Sequence, residues 1–131
     1  MSTKKKLLLP ATMSRAGWDV IKKRDDVEAI GYEVDITPPA FHALLRDADG
    51  VALSLTPFGE AEVKAAPKLR VVARHGVGYD AVDVAALTRH NIPLMVTGIA
   101  NSPSVAEQAL YFMLELAKRG ATLDAMVKQS R

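Results

Sequence analysis

The chain has 131 residues, one ordinary domain's worth, able to bury roughly two-thirds of its unfolded surface. Apolar residues make up 49% and charged residues 24%, the balance of a globular protein, and the formal charge of +2 is too even to suggest nucleic acid. There is no cysteine, which excludes a disulfide framework, a thiolate metal site and a thiol nucleophile, and fits a cytoplasmic setting.

Lys4–Lys6 lead into Leu7-Leu8-Leu9, a run far too short for a signal peptide or a membrane span. It reads as a first strand over Lys6–Leu9, stopped by Pro10. A helix is expected near Ala16–Arg24, with Trp18 and Ile21 on one face. Tyr32–Ile36 reads as the second strand, ended by Pro38-Pro39, and Phe41, Leu44 and Leu45 mark the next helix. Gly50–Leu55 is the third strand, followed by a short helix over Glu60–Ala66. Leu69–Ala73 is the fourth, a helix over Val82–Arg89 follows, and His90-Asn91 gives it a stop before a fifth strand, Ile92–Val96. Strands alternating with helices imply an α/β fold with a doubly wound parallel sheet, flavodoxin-like, of order 2-1-3-4-5.

Ser102-Pro103-Ser104 starts the final section as a helix cap, with Glu107 well placed for the helix dipole. Val105, Ala109, Phe112 and Leu116 share one face; Ala106, Leu110, Met113 and Ala117 form the adjoining stripe. So wide an apolar surface expects partners on two sides, and a homodimer through the 104–118 helix is one way to supply them. Gly120 breaks the helix, and Thr122–Gln129 forms one more short one.

Chemistry concentrates where the fourth strand ends, at Arg74-His-Gly76-Val-Gly78-Tyr-Asp80. The glycines bare backbone N–H groups at the carboxyl end of a parallel strand, where anionic ligands bind. Gly76-Val-Gly78-Tyr-Asp80-Ala81 formally matches a dinucleotide fingerprint. Three strands precede it, however; Asp80 and Asp83 would repel a diphosphate, and Val96-Thr97-Gly98 offers no acid for a ribose. Two readings stay open: a tight turn that needs glycine for its angles, and a carboxylate-sized anion on the loop N–H groups beside Arg74. His42 and His90 sit on or at the end of helices, and the histidine spacing supplies no metal cluster. Asp25-Asp26, Asp47 and Asp49 read as solvated helix-end charges. A receiver-domain reading fails on Pro10-Ala11-Thr12 and Thr56-Pro57, which lack the required acids, and a flavodoxin reading on Thr12-Met13-Ser14, only a faint echo of its phosphate loop.

Leu69-Arg-Val-Val-Ala-Arg-His-Gly-Val-Gly-Tyr-Asp80, then Asn91-Ile-Pro93, then Asn101-Ser-Pro-Ser-Val-Ala-Glu107 resembles the D-isomer-specific 2-hydroxyacid dehydrogenases, the phosphoglycerate dehydrogenase-like family. The resemblance implies a substrate-binding part over 1–101 and a helix crossing toward a coenzyme domain over 102–131. It implies a substrate carboxylate held at Gly76, Val77 and Gly78, with Arg74 and Asn101 beside the substrate and Val105 near the nicotinamide of NAD or NADP. Members continue into a Rossmann domain that supplies the arginine, glutamate and histidine of catalysis, so no catalytic residue is expected before Arg131. Where the family has Thr-Pro before the crossing segment, this chain has Thr97-Gly98. The expectation is a truncated NAD(P)-dependent D-2-hydroxyacid dehydrogenase, inactive alone, acting in its full-length parent on a small 2-hydroxy or 2-keto acid. No membrane or nucleic-acid partner is expected. The alternative is a non-catalytic module that binds a small carboxylate or associates with itself.

Overall fold

The computed structural model describes residues 4–129. The chain divides after Gly98 into two compact units. The first contains β1 (Lys5–Pro10), α1 (Arg15–Lys22), β2 (Val27–Tyr32), α2 (Pro38–Leu45), β3 (Gly50–Leu53), α3 (Glu60–Ala65), β4 (Val71–Arg74), α4 (Val84–Arg89) and β5 (Leu94–Val96). All five strands are parallel, in the order β2-β1-β3-β4-β5. The α/β fold and strand order are those the sequence implies.

Strand register explains the core. Ile30, Leu8, Val51, Val72 and Leu94 are successive partners across the five strands, so their side chains form one row. Leu8, Val51 and Val72 are fully buried against Phe41 and Leu45 of α2, Val63 of α3 and Leu87 of α4. Burying each such side chain contributes about 1.5–3 kcal/mol over leaving it in water. Two residues further along the strands, the next row runs Tyr32, Pro10, Leu53, Arg74 and Val96. Arg74 is the one charge in either row. Tyr32 stacks at 5.1 Å on Phe41, which meets Phe58 edge-on at 6.4 Å, and its hydroxyl donates to the Ala52 carbonyl at 2.8 Å.

The second strand departs from its expected place: it is Val27–Tyr32, not Tyr32–Ile36. The alternation Tyr32-Val34-Ile36 mimics a strand, but Lys22 and Val27 leave only a short connection and β2 starts at once. Gly31 belongs to this strand because α1 packs there, with the Trp18 ring 3.5 Å from where a Cβ would lie. Pro38 and Pro39 consequently open α2 rather than end a strand; proline suits the first helical turn, whose N–H groups have no helical partner. The third strand stops at Leu53, leaving Leu55 mostly exposed, and the fourth begins at Val71. The helix after the glycine loop starts at Val84, capped by the Asp83 carboxylate, which accepts the Ala86 N–H at 2.9 Å.

The second unit contains α5 (Ser102–Lys118) and α6 (Gly120–Gln129). Ser102 lies inside α5 and Asn101 takes the cap position without a side-chain cap bond. The break is Arg119, in the left-handed conformation, while Gly120 begins α6 two residues earlier than Thr122. The Glu115 carboxylate accepts the Ala121 N–H at 2.8 Å and so caps the second helix. No residue of either helix is buried, and Tyr111, Phe112, Met113, Leu114 and Leu116 are all more than half exposed.

Carboxylates tie the helices of the first unit to one another. Glu62 of α3 meets the His42 ring of α2 at 2.8 Å. Glu60 meets Arg89 at 2.8 Å and His90 at 3.1 Å at the end of α4. Asp49 holds the Lys5 ammonium at 2.9 Å and the Lys6 N–H at 3.0 Å, and Asp47 pairs with Lys68 at 2.6 Å. These acids are therefore structural ties rather than merely solvated charges.

The Arg89 guanidinium, with His90 behind it, lowers the Glu60 carboxyl from its ordinary 4.5 to about 2. A carboxyl depressed on folding adds stability above its unfolded value and loses that contribution as pH falls toward its folded one. Glu60→Gln should therefore lower the urea midpoint near neutral pH, with the difference from the parent shrinking between about pH 4.5 and pH 2. A difference that holds constant over that range would contradict the tie.

Candidate functional site

Parallel strands end by exposing backbone groups, and β4 does so between two tied loops. The His75 N–H still donates to the Leu53 carbonyl at 2.8 Å, which keeps the end of β4 in register with β3. The next peptide leaves the sheet: the Gly76 N–H turns back to the Arg74 carbonyl at 2.8 Å, closing a three-residue turn around His75. Gly76 has φ +155, which glycine adopts far more readily than other residues. Its carbonyl accepts the Thr97 N–H at 3.3 Å, tying the loop to the end of β5.

A second anchor lies beyond the loop. Phe58 and Val82 form an isolated parallel bridge, with the Phe58 N–H on Ala81 and the Asp83 N–H on the Phe58 carbonyl. Gly76–Ala81 is thus stretched between fixed ends. Within it, the N–H groups from Val77 to Ala81 have no acceptor among the described residues, and the first two, on the exposed Val77 and Gly78, directly follow the Arg74 turn. Gly76 contributes its backbone conformation, because its own N–H is already engaged.

Arg74 is the cation beside this loop. Its Nη1 donates to the His75 carbonyl, and the guanidinium lies on Gly76. Tyr32 stands in the same row; burial pushes its phenol up, and the positive charge of Arg74 opposes that rise. His75, next to Arg74, is engaged through its backbone.

Nothing in the loop suits a diphosphate. The Asp80 carboxylate lies 3.3 Å from where a Cβ on Gly78 would be, and Asp83 occupies the start of α4. The loop can take a small anion at Val77 and Gly78, but a second charged phosphate would meet Asp80. His42 and His90 are held by glutamates, away from any histidine cluster, and no metal-ligand group occurs among the described residues.

The second unit carries the remaining candidates. Asn101 and Val105 line a shallow depression of about 410 Å³ with Ser104, Gln108, Ala109 and Phe112. Asn101 makes no side-chain cap bond, and Val105 is 59% exposed. Just before it, Gly98 has φ +59, a left-handed conformation closed to proline, so Thr97-Gly98 follows a different backbone path from a Thr-Pro pair. Leu53, Phe58 and Thr97, which hold the glycine loop in shape, carry no motif. Their parts are played by backbone groups, and only the register reveals them.

The family model described as "D-isomer specific 2-hydroxyacid dehydrogenase, catalytic domain" matches residues 7–130. The chain belongs to the D-isomer specific 2-hydroxyacid dehydrogenase family. Among its relatives, a D-3-phosphoglycerate dehydrogenase of Synechocystis is 28% identical over 130 residues, covering 98% of this chain and 23% of its own length. A glyoxylate reductase of Thermococcus onnurineus is 28% identical over 126 residues, covering 95% and 38%. The chain thus spans well under half the length of these curated relatives. In fold it is similar to the crystal structure of NAD+-bound 3-phosphoglycerate dehydrogenase from Entamoeba histolytica, with TM-score 0.75 and 24% identity over 86% of this chain and 39% of that one.

Proposed function

We propose that this chain forms the substrate-carboxylate side of an NAD(P)-dependent D-2-hydroxyacid dehydrogenase, whose parent moves a hydride between a small 2-hydroxy acid and a nicotinamide. The observation that carries this reading is the pair of unengaged N–H groups at Val77 and Gly78, beside Arg74 at the carboxyl end of β4. Two adjacent N–H donors match the two oxygens of a carboxylate, and charge-assisted bonds of this kind are about twice as strong as neutral ones. Gly76 shapes the turn, and Arg74 supplies positive charge.

The described residues suit only the nicotinamide end of the cofactor. Val105 and the apolar depression that it shares with Asn101 would flank the ring. A pyrophosphate finds Asp80 in its way at the glycine loop. When bound, the nicotinamide supplies or accepts the hydride; this chain's residues fix the carboxylate and shield one side of the substrate. Hydride transfer also needs a proton donor of tuned pKa in the same geometry as the clamp, a role this reading gives to none of the described residues. The 131-residue chain alone is accordingly inactive.

Glyoxylate, the substrate named by one relative, is the probe. Titrated into the ¹⁵N-labelled chain, it should shift the Val77 and Gly78 amide signals first, and the same sample should not oxidise NADH with glyoxylate. Shifts confined to other residues would overturn the carboxylate site. Saturable NADH oxidation would overturn the claim of inactivity.

The exposed face of α5 favours a self-associating arrangement besides. Leu110, Phe112, Met113 and Leu116 are each more than half exposed, and in proteins most of a helix's stability comes from packing its apolar face. We place a second copy of α5 there, as a homodimer. Sedimentation equilibrium should give a dimer that Leu116→Asp converts to monomer. A wild-type monomer at high concentration would contradict it.

A further inference from the structure

The proposed carboxylate site leaves open what aims its two donors. We propose that Arg74 is a positioning residue: by holding the His75 carbonyl and seating its guanidinium on Gly76 it fixes where the backbone enters the Val77–Gly78 segment, rather than binding the carboxylate itself. This rests on the carboxylate reading of the loop and says how that site is built.

Three contacts hold the peptides before Val77. The carbonyl of His75 accepts from Arg74 Nη1, the Gly76 N–H donates to the Arg74 carbonyl, and the Gly76 carbonyl accepts from Thr97. No peptide bond among the described residues is cis, so each N–H there points opposite to the carbonyl of the residue before it. The Thr97 bond turns the Gly76 carbonyl toward β5, and the Val77 N–H therefore faces the other way. That bond, at 3.3 Å, is the longest of those holding the loop, so the grip on His75 matters to the result.

Gly76 makes the seat possible. A Cβ there would lie 2.5 Å from Arg74 Nη1, 2.9 Å from Cζ and 3.1 Å from Nη2, so the whole fork lies across the glycine. A lysine ammonium offers one compact charge and no plane to lay on that backbone. Arg74 also stands in a row between Leu53 and Val96, so its stem leaves the sheet between those two neighbours. An arginine held at both ends in this way is poorly placed to swing out and form a bidentate pair with a ligand.

The seat gives Arg74 and Gly76 one shared contact, which a double-mutant cycle isolates. Arg74→Met removes the guanidinium; Gly76→Ala keeps the charge but evicts it from the glycine, and because alanine is also strained at this φ its effect is compared with and without the arginine. Glyoxylate affinity is read from the Val77 and Gly78 amide shifts in each single variant and in the double. Arg74→Met should displace both signals before any ligand is added, leaving the amide signals of β1 and β3 in place. Each single variant should bind about tenfold more weakly, and the double about the same as either, because both break one contact. Arg74→Lys should not restore the parent's ligand-free signals. Additive losses, of about a hundredfold in the double, would mean that Arg74 and Gly76 act independently, and would overturn the shared seat and the positioning role with it. Ligand-free loop signals unchanged in Arg74→Met would overturn it too. Absence of any glyoxylate shift in the parent protein would instead remove the carboxylate reading, and this inference with it.

Discussion

The hydrogen bond from the His75 N–H to the Leu53 carbonyl is the contact on which the site depends. It is the last rung of the ladder between β3 and β4, and the chain turns away from the sheet immediately after it. Upstream of that rung, side chains alternate into a core whose central row crosses all five strands. Downstream, the backbone is free to offer N–H groups to something outside the protein. Were the rung one residue earlier or later, Arg74 would move to the opposite face and lose its glycine seat.

The same rung joins stability to function. Leu53 is fully buried and belongs to the cluster that packs β3 against α2 and α3, so the carbonyl that receives His75 is fixed by the hydrophobic core. The Phe58–Val82 bridge then closes the far side of the loop, and Phe58 is itself almost fully buried. A six-residue loop, 76–81, between two such anchors loses most of its freedom before any ligand arrives. That is preorganisation in a specific form: ordering entropy is lost on folding, and binding need not supply it again.

Much of this was legible in the sequence. Short apolar runs spaced by helical patterns implied five parallel strands in the order observed, and two glycines at the end of the fourth marked the loop. The second strand was not legible, because Tyr32-Val34-Ile36 alternates as a strand does whereas Val27–Tyr32 contains Gly31 and Glu28. An edge strand covered on one side by Trp18 tolerates both residues. The prolines at 38 and 39 misled for a related reason, since proline closes a strand and opens a helix equally well. Within the site, sequence marks Arg74, Gly76, Val77 and Gly78 alike. Only the geometry separates residues that offer an N–H, Val77 and Gly78, from Gly76, whose N–H is engaged, and from Arg74, whose guanidinium lies on the chain.

The central claim is that a carboxylate rests on the N–H groups of Val77 and Gly78. A crystal structure of the chain soaked with glycolate tests this most directly. The account predicts both carboxylate oxygens at hydrogen-bond distance from those two nitrogens, about 2.7–3.0 Å, with the Arg74 guanidinium still on Gly76. Glycolate bound elsewhere on the chain, with the two N–H groups facing only water, would contradict it.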